Sequence, residues 1–483
     1  MMDLAQEAVE AALAKGADYA DARINRLSNE NLAMRNGMLA QAEAPEDFGI
    51  GLRVHKDGAW GFCAAPLSSS GRAGVLRDLA RRATKAARDL APAVKDPVRL
   101  VGRPEGVHEY STPIGTDPFS VPLEDKIGLL RRCDESMQGA SETVVRTASI
   151  ALRREEQWQA TSEGAQIHQV LVRAGAGLST TAAAHGEVER RSYPASFGGN
   201  YKSAGWEHVE SLDLASHGER MRDESVELCS ADPCPEGQRT LILGGSQLML
   251  QIHESVGHPS ELDRVHGHEV DLAGASFLTP EKQGDFRFGS YLVNLVADST
   301  VPGGLDTRGF DDEGVASERW HIVRDGMFEG YMTGREWAAR VGDDASHGAM
   351  RAEGWYHPPI IRITNLSLMP GTWGFDELLA DTEDGAVFCD TVKMWSIDQR
   401  RLNFQFTCEL AREVKDGKLG RLLRSPTYQG TTPEFWRSCD AICNEDHWEL
   451  WGVPNCGKGN PMQVAEMSHG AAPSRFRRVN FVR

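Results

Sequence analysis

The chain has 483 residues, of which 40% are hydrophobic and 25% are charged, a composition typical of a soluble globular protein with two or three domains. Its 52 Lys and Arg residues are outnumbered by 70 Asp and Glu residues, which gives a net charge of −18. This negative charge argues against nucleic acid and acidic membranes as partners, because phosphate binding needs a cationic surface.

The sequence predicts a cytoplasmic protein. It contains no run of about 18 apolar residues that could span a bilayer, and its first residues lack the basic and apolar regions of a signal peptide. The cysteines are odd in number and show no disulfide-framework spacing, so reduced thiols are expected. They lie at positions 63, 133, 229, 234, 389, 408, 439, 443 and 456.

The first part of the chain is predicted to mix helices with a meandering antiparallel sheet. Asn36 and Gly37 are a strong hairpin signal between two of the strands. Residues 91–122 contain several prolines and are predicted to be a loop. Helices are predicted at 3–15, from a serine cap at 68–70 to Leu90, at 123–137 and at 209–228; strands are predicted at 19–26, 31–34, 39–43, 50–55, 60–64, 143–154, 157–162, 167–176 and 178–184.

The proline-rich and glycine-containing segment 231–237 is predicted to separate two domains, 1–230 and 236–483. After it, residues 238–243 are predicted to form a strand and Ser246 to cap a helix. Many later hairpin signals, including those at 324–326 and 415–417, predict a β-rich second domain built as a curved sheet or barrel. The expected fold class is therefore α+β, with a metal-binding helix at the start of the second domain.

The segment 248–259 contains His253, Glu254 and His258, residue types that favour a metal site. Imidazole is a common ligand of zinc-like metals, and a carboxylate beside the first ligand is placed to act as a general base. Two histidines four apart share one face of a helix. These two are five apart, and five residues at roughly 100° each rotate the second side chain about 140° away from the first.

The two residues that flank His258 indicate how both histidines could still reach one ion. Gly257 tolerates conformations that other residues avoid, and Pro259 disfavours a helical conformation for His258. We therefore expect the helix to widen into one broad turn, or to end at Gly257, so that His258 swings back toward His253.

A catalytic zinc site usually has three protein ligands and one open position, so a third ligand must come from elsewhere. Cys456 is the best candidate, because the glycines and proline around it predict a tight, irregular loop. Lys458 could help to keep the thiol deprotonated. A lone cysteine is otherwise most often a small buried hydrophobic residue.

The sequence resembles the TldD branch of the TldD/PmbA metallopeptidases along essentially its whole length. The similarity lies in His-Glu-Ser-Val-Gly-His at 253–258, Asn-Cys-Gly-Lys-Gly at 455–459, Asp-Asp-Glu-Gly-Val at 311–315, Leu-Met-Pro-Gly at 368–371 and the run 428–443. The resemblance implies His253, His258 and Cys456 as zinc ligands, one zinc ion per active subunit, and Glu254 as the catalytic carboxylate. It also implies a two-domain fold and a dimer that encloses the active site, formed with a second copy or with a PmbA/TldE-like partner.

Four other groups of polar residues remain open at this stage. Cys439, Cys443 and His447 recur every four residues and form a rival metal site if the segment is helical, although a fourth ligand and a base are missing. His266 and His268 are expected to line or seal the cleft.

His347 and Arg351 could bind a substrate oxyanion or carboxylate, or could simply belong to a solvated loop. Asp311, Asp312 and Glu313 could form a turn at the end of a strand or, less favourably, a second metal site.

The function expected from these residues is zinc-dependent hydrolysis of peptide bonds in unfolded or extended peptides, within a cleft enclosed by the dimer. Two other classes stay open. One is a non-peptidase metalloenzyme that acts on a small amide-like metabolite or a modified peptide, and the other is a binding subunit that has lost catalysis. The presence of Glu254 argues against the second.

Overall fold

The computed structural model of the protein describes residues 1–68 and 72–482. Its first part is a nine-stranded sheet packed against helices. The helices are α1 (Met2–Leu13), α2 (Arg72–Leu90), α3 (Leu123–Ser136), α4 (Trp206–Ser211) and α5 (Leu214–Leu228). The strands are β1 (Tyr19–Arg35), β2 (Met38–Glu43), β3 (Glu46–Lys56), β4 (Ala59–Pro66), β5 (Gly106–Ser111), β6 (Thr143–Thr161), β7 (Ala165–Ala184), β8 (Glu187–Tyr193) and β9 (Asn200–Lys202).

The central strands of this sheet run in the order β4-β3-β1-β6-β7-β5. The pairs are antiparallel except for β5, which lies parallel to β7. The long strands β1, β6 and β7 contribute residues to two hydrophobic cores. Helices α1 and α2 pack with Ile24 and Leu52, whereas α3, α4 and α5 pack with Ile150 and Leu178.

Several predicted boundaries in this region need correction. Residues 91–122 were expected to be a loop, but they contain β5. This strand forms by pairing with β7, which is distant in the sequence. Strands predicted as separate pieces at 143–162 and at 167–184 are the continuous β6 and β7. The helix predicted at 209–228 is broken at Asp213, which has a φ of +42°. Residues 69–70 of the predicted serine cap lie outside the described residues.

The second part of the chain is β-rich, as predicted. Its helices are α6 (Gly245–Ile252), α7 (Leu262–Val265), α8 (Phe375–Ala380) and α9 (Thr432–Arg437). Its strands are β10 (Asp232–Pro233), β11 (Gly237–Leu243), β12 (Leu295–Asp298), β13 (Arg319–Arg324), β14 (Met327–Phe328), β15 (Met350–Arg351), β16 (Ile360–Ile361), β17 (Leu366–Leu368), β18 (Val387–Ile397), β19 (Asn403–Lys415), β20 (Lys418–Arg424), β21 (Thr427–Thr431), β22 (Cys439–Ile442), β23 (Glu449–Lys458), β24 (Gln463–Ala471) and β25 (Ser474–Val482).

Five of these strands close into a barrel. The order β19-β18-β11-β25-β21 returns to β19, because β21 also pairs with β19. The predicted barrel-like domain and the α+β class are therefore confirmed. The segment 231–237 holds β10 and the start of β11, and the domain limits 1–230 and 236–483 stay a prediction.

No helix in the described ranges is both long enough and apolar enough to cross a membrane.

The two parts are joined by buried ion pairs. Arg53 on β3 is 5% exposed and pairs with Asp21 at 2.8 Å and with Glu313 of the second part at 3.1 Å. Its guanidinium also lies over the ring of Trp60 at 4.2 Å. Because these carboxylates have left bulk water, each depends on the guanidinium to compensate its charge.

We expect Arg53→Met to lower the free energy of unfolding by about 3–5 kcal/mol, since it leaves two buried carboxylates unpaired. Urea denaturation measures this loss. The matched control is Arg82→Met, which removes an exposed arginine 3.6 Å from Asp78 and should cost less than about 1 kcal/mol. Equal losses for the two variants would contradict the role of Arg53.

Candidate metal centre

The helix α6 starts where β11 ends, because two glycines allow a tight turn there. A Cβ atom on Gly244 would lie 2.6 Å from the Asp390 carboxylate, and one on Gly245 would lie 2.7 Å from Nε1 of Trp451. Gly244 is the N-cap, so the prediction of a Ser246 cap is wrong. The Ser246 hydroxyl instead donates to Asp390 at 2.6 Å.

The predicted broad turn is confirmed. After Ile252 the helix continues as a π-turn over His253–Gly257, and the N–H of His258 donates to the carbonyl of His253 five residues back. In this geometry five residues make about one turn, so both imidazoles lie on one side. Their ring centroids are 4.7 Å apart. A Cβ on Gly257 would lie 2.7 Å from Cδ1 of Ile363, so a larger residue there would force this side chain to move.

Cys456 reaches this turn from the other end of the domain. It lies on β23, beside a register shift between Val453 and Cys456 in the pairing with β24, rather than on the predicted loop. Its Sγ is 3.5 Å from Nε2 of His258. One ligand atom each from His253, His258 and Cys456 lie within 4.8 Å of one another, and the described residues contain no other such group of three metal-binding side chains.

Each of the two imidazoles is oriented by a hydrogen bond at its Nδ1 atom. Nδ1 of His258 lies 2.9 Å from Glu261, and Nδ1 of His253 lies 2.8 Å from Nε2 of His469. Nδ1 of His469 lies 2.7 Å from the carbonyl of Leu366, which can only accept, so this nitrogen carries the hydrogen. Nε2 of His469 is then an acceptor for His253. Both candidate ligands therefore keep Nε2 unprotonated and free for a metal.

His469 was missed by the sequence analysis. It is fully buried on β24, opposite Trp451, and 216 residues from His253. No spacing pattern in the sequence connects it to the motif. Glu261 was missed as well, although its position three residues after His258 was a usable signal, since residues three apart share a face in a turn of helix.

Burial and neighbouring charges set the protonation of the candidate ligands. Burial lowers the pKa of His253 to about 4 and also lowers the pKa of His258, so both rings are neutral near pH 7. Burial works to raise the pKa of Cys456, but its contact with His258 and the positive charge of Arg362 hold that pKa below its usual value. Arg362 also donates to the carbonyl of Cys456.

The expected role of Lys458 needs correction. Its ammonium group is fully buried and donates to Asp263 at 2.7 and 2.8 Å and to the carbonyl of Ile361 at 2.7 Å. It also pairs with Glu261 at 3.3 Å. Burial opposes ionisation of Glu261, but Lys458 and His258 hold the pKa of this carboxyl well below its usual range. Lys458 thus stabilises the charged form of Glu261, the carboxylate that contacts Nδ1 of His258.

Glu254 lies at the start of the π-turn and is 6% exposed. Its Oε1 accepts a hydrogen bond from Nε1 of Trp395 at 2.9 Å, and its Oε2 accepts one from Nη1 of Arg401 at 2.9 Å. Sequence reasoning did not identify either donor. Since each carboxylate oxygen can accept a second hydrogen bond, Glu254 remains able to bind a water molecule.

The rival cysteine and histidine group is not a metal site in this structure. Cys439 lies on β22, a strand, so its spacing to Cys443 and His447 does not place the three on one helix face. Nε2 of His447 accepts a hydrogen bond from the backbone of Phe375.

The other four polar candidates lie outside the metal cluster. His266 and His268 flank Trp337, with ring centroids 5.5 and 4.6 Å away. His347 stacks on Trp320 at 4.9 Å and pairs with Glu318. Arg351 is buried, and it donates to the carbonyl of Ile363 at 2.6 Å and pairs with Asp306 at 3.0 Å.

The acidic segment 311–313 has a structural role. Asp311 accepts backbone hydrogen bonds from Glu313 at 2.8 Å and Val315 at 2.9 Å, as in a turn. Asp312 pairs with buried Arg23 at 3.3 Å, and Glu313 pairs with Arg53. Burial, followed by repulsion from Glu313, raises the pKa of Asp311 to about 7. These contacts account for the carboxylates without a second metal.

Models of known protein families match almost the whole chain. Residues 236–479 match the PmbA/TldA metallopeptidase C-terminal domain, residues 20–87 match domain 1 and residues 116–228 match the central domain of the same family. The C-terminal match alone covers half of the chain and includes all three clustered side chains.

Relatives and solved structures agree with these matches. A metalloprotease of Methanocaldococcus jannaschii is 26% identical over 465 residues, 94% of each chain. A zinc metalloprotease TldD homolog of Saccharolobus solfataricus is 25% identical over 213 residues, 43% of this chain and 44% of that one. The crystal structure of TldE from Thermococcus kodakarensis has a TM-score of 0.73 at 14% identity, covering 99% of this chain and all of that one, and shows the same fold. With the family's three domains present in order, the chain belongs to the PmbA/TldD metallopeptidases and is a metalloprotease of that type.

Proposed function

We propose that the protein is a zinc-dependent peptidase that hydrolyses peptide bonds in unfolded or extended peptides. The observation that carries this proposal is the buried group of His253, His258 and Cys456, whose ligand atoms lie within 4.8 Å of one another beside Glu254. The donor set fits zinc, because two neutral imidazoles present Nε2 and the thiol has a lowered pKa. The name of the Saccharolobus relative supports the same metal.

The residues of the chain then have distinct tasks. Bound by His253, His258 and Cys456, zinc would supply a Lewis acid that polarises a carbonyl and acidifies water. Glu254 takes a proton from the attacking water and gives it to the departing amine. Trp395 and Arg401 hold this carboxylate in place. A thiolate donates more charge than a third imidazole would, so we expect slow turnover.

An open strand edge beside Glu254 supports an extended peptide as substrate. Strand β18 pairs with β11 only over Val387–Cys389, and over 390–397 the described chain places β19 on one side of it and no strand on the other. Trp395 lies on this stretch and contacts Glu254. An extended peptide can add its backbone to such an edge whatever its sequence.

We also propose that the cleft is enclosed by a dimer, either with a second copy or with a TldE-like partner, and that the protein acts in the cytoplasm. The likeness to the TldE structure supports a partner of the same fold.

Loss of the thiol tests the metal site. We expect unmodified protein to hold about one zinc ion per chain and Cys456→Ala to lose most of it, because two imidazoles alone make an incomplete site. Elemental analysis of the purified proteins measures this. Cys63→Ala, which removes a thiol from β4, is the control and should keep its zinc. Full zinc retention by Cys456→Ala would rule out the thiol as a ligand.

Replacement of the base tests the chemistry separately. Glu254→Gln should keep its zinc but lower kcat for peptide hydrolysis by about 10²–10⁴, the usual contribution of a general base. Cleavage of an unstructured fluorogenic peptide, with and without chelator, gives the rates. Unchanged turnover would show that Glu254 is not the base, and cleavage that survives complete zinc removal would refute the metallopeptidase mechanism.

The hydrogen bond between Nδ1 of His253 and Nε2 of His469 should also strengthen zinc binding. We expect His469→Phe to weaken zinc affinity by about 10–100-fold, the range seen when a partner that orients a metal ligand is lost. Competition with a chromogenic chelator measures the affinity. His447→Phe changes a histidine outside the cluster and should bind zinc normally. Equal affinities for the two variants would remove His469 from the site.

A further inference from the structure

Arg401 is held beside Glu254 by a turn that Asp398 stabilises. This turn, residues 398–402, joins β18 to β19, and Asp398 accepts backbone hydrogen bonds from Arg400 at 3.0 Å, Leu402 at 2.9 Å and Asn403 at 3.1 Å. Arg401 itself has a φ of +62°, a left-handed conformation that non-glycine residues rarely adopt. Backbone strain of this kind concentrates at functional sites.

The guanidinium of Arg401 has five N–H groups, and its Nε–H is buried without a partner among the described residues. Nη1 donates to Glu254 at 2.9 Å, and Nη2 donates to the carbonyl of Ala273 at 3.2 Å. Nε is buried, and no atom within 1–68 and 72–482 accepts its hydrogen. A buried donor without a partner is costly unless something else supplies an acceptor. The two existing bonds fix the plane of the guanidinium and therefore the direction of this N–H.

The guanidinium hydrogen-bonds the proposed base, so it lies near the place where negative charge would form during hydrolysis. As water adds to the scissile carbonyl, a proton of the water passes to Glu254, and the π electrons of the C=O bond move to the carbonyl oxygen. When the C–N bond breaks, that proton passes to the amine. A fixed cationic donor beside the base would stabilise the transient oxyanion.

We propose that Arg401 is a further catalytic residue, whose Nε–H donates to the carbonyl oxygen of the scissile bond as its negative charge develops. This inference rests on the proposed peptidase function. The competing explanation is that Arg401 only holds Glu254, as Trp395 also does.

The test separates these two roles by removing the base. A phosphinic pseudopeptide, whose tetrahedral anion imitates the attacked carbonyl, is titrated by calorimetry into zinc-loaded protein. We expect Arg401→Met to lower kcat by about 10²–10³, the usual cost of an oxyanion donor, and to weaken pseudopeptide binding, with zinc content unchanged. The same loss of affinity should appear when Arg401→Met is made in the Glu254→Gln protein, where Arg401 no longer has a carboxylate to hold.

The neighbouring Arg400→Met is the matched control, because Arg400 is an exposed arginine on the same turn. It should retain kcat and pseudopeptide affinity within about twofold, well below the cost of an oxyanion donor. If Arg401→Met does not fold, Arg401→Lys keeps the charge without the fixed Nε–H and should show the same two losses in smaller measure.

Pseudopeptide affinity that is insensitive to Arg401 in the Glu254→Gln background would overturn the proposal and leave Arg401 as a positioning residue. Absence of any chelator-sensitive peptide cleavage by the unmodified protein would instead overturn the proposed function itself.

Discussion

The candidate metal centre depends on one change of helical pitch. In a regular α-helix the imidazoles of His253 and His258 would point about 140° apart. The π-turn at His253–Gly257 brings their centroids to 4.7 Å. The turn forms because Gly257 lets Ile363 pack directly against the backbone, and because Pro259 has no N–H to donate to an α-helical hydrogen bond. The expectation that Pro259 would move His258 out of the helical region is wrong, since His258 is helical and Pro259 lies in a short 3-10 turn. A π-turn is less favourable than an α-turn, so packing on all sides must stabilise it. The helix before it is accordingly buried around its whole circumference.

The second half of the centre comes from a hairpin that the first part of the chain helps to hold. Cys456 and His469 lie on β23 and β24. The neighbouring Glu466 pairs with Arg153 of β6 at 3.5 Å and with Arg173 of β7 at 3.3 Å. Because Arg173 is buried and Arg153 and Glu466 are partly buried, their charges are only partly screened and help to fix the hairpin against the long sheet. The sheet thus contributes to the position of a candidate ligand without contacting the metal site.

The parts that could be predicted from sequence are those encoded locally. The broad turn follows from the spacing of His253 and His258 with Gly257 and Pro259, and the barrel follows from successive hairpin signals. Cys456 could be nominated because its surroundings are unusual in composition. Strand β5 could not, because its conformation is determined by pairing with β7, more than 50 residues away in the chain. The same holds for His469, whose only link to the site is spatial.

Arg401 shows most clearly why a local sequence pattern cannot predict every residue of the site. Arg400 and Arg401 are adjacent and chemically identical, yet one is exposed and the other binds Glu254. The difference arises from the left-handed conformation of Arg401, which Asp398 stabilises by capping the turn. That conformation turns one guanidinium inward, where it shares the Glu254 carboxylate with Trp395. The residues around the proposed general base are therefore determined by the shape of a turn at the end of β18, and the open edge of the same strand lies beside them.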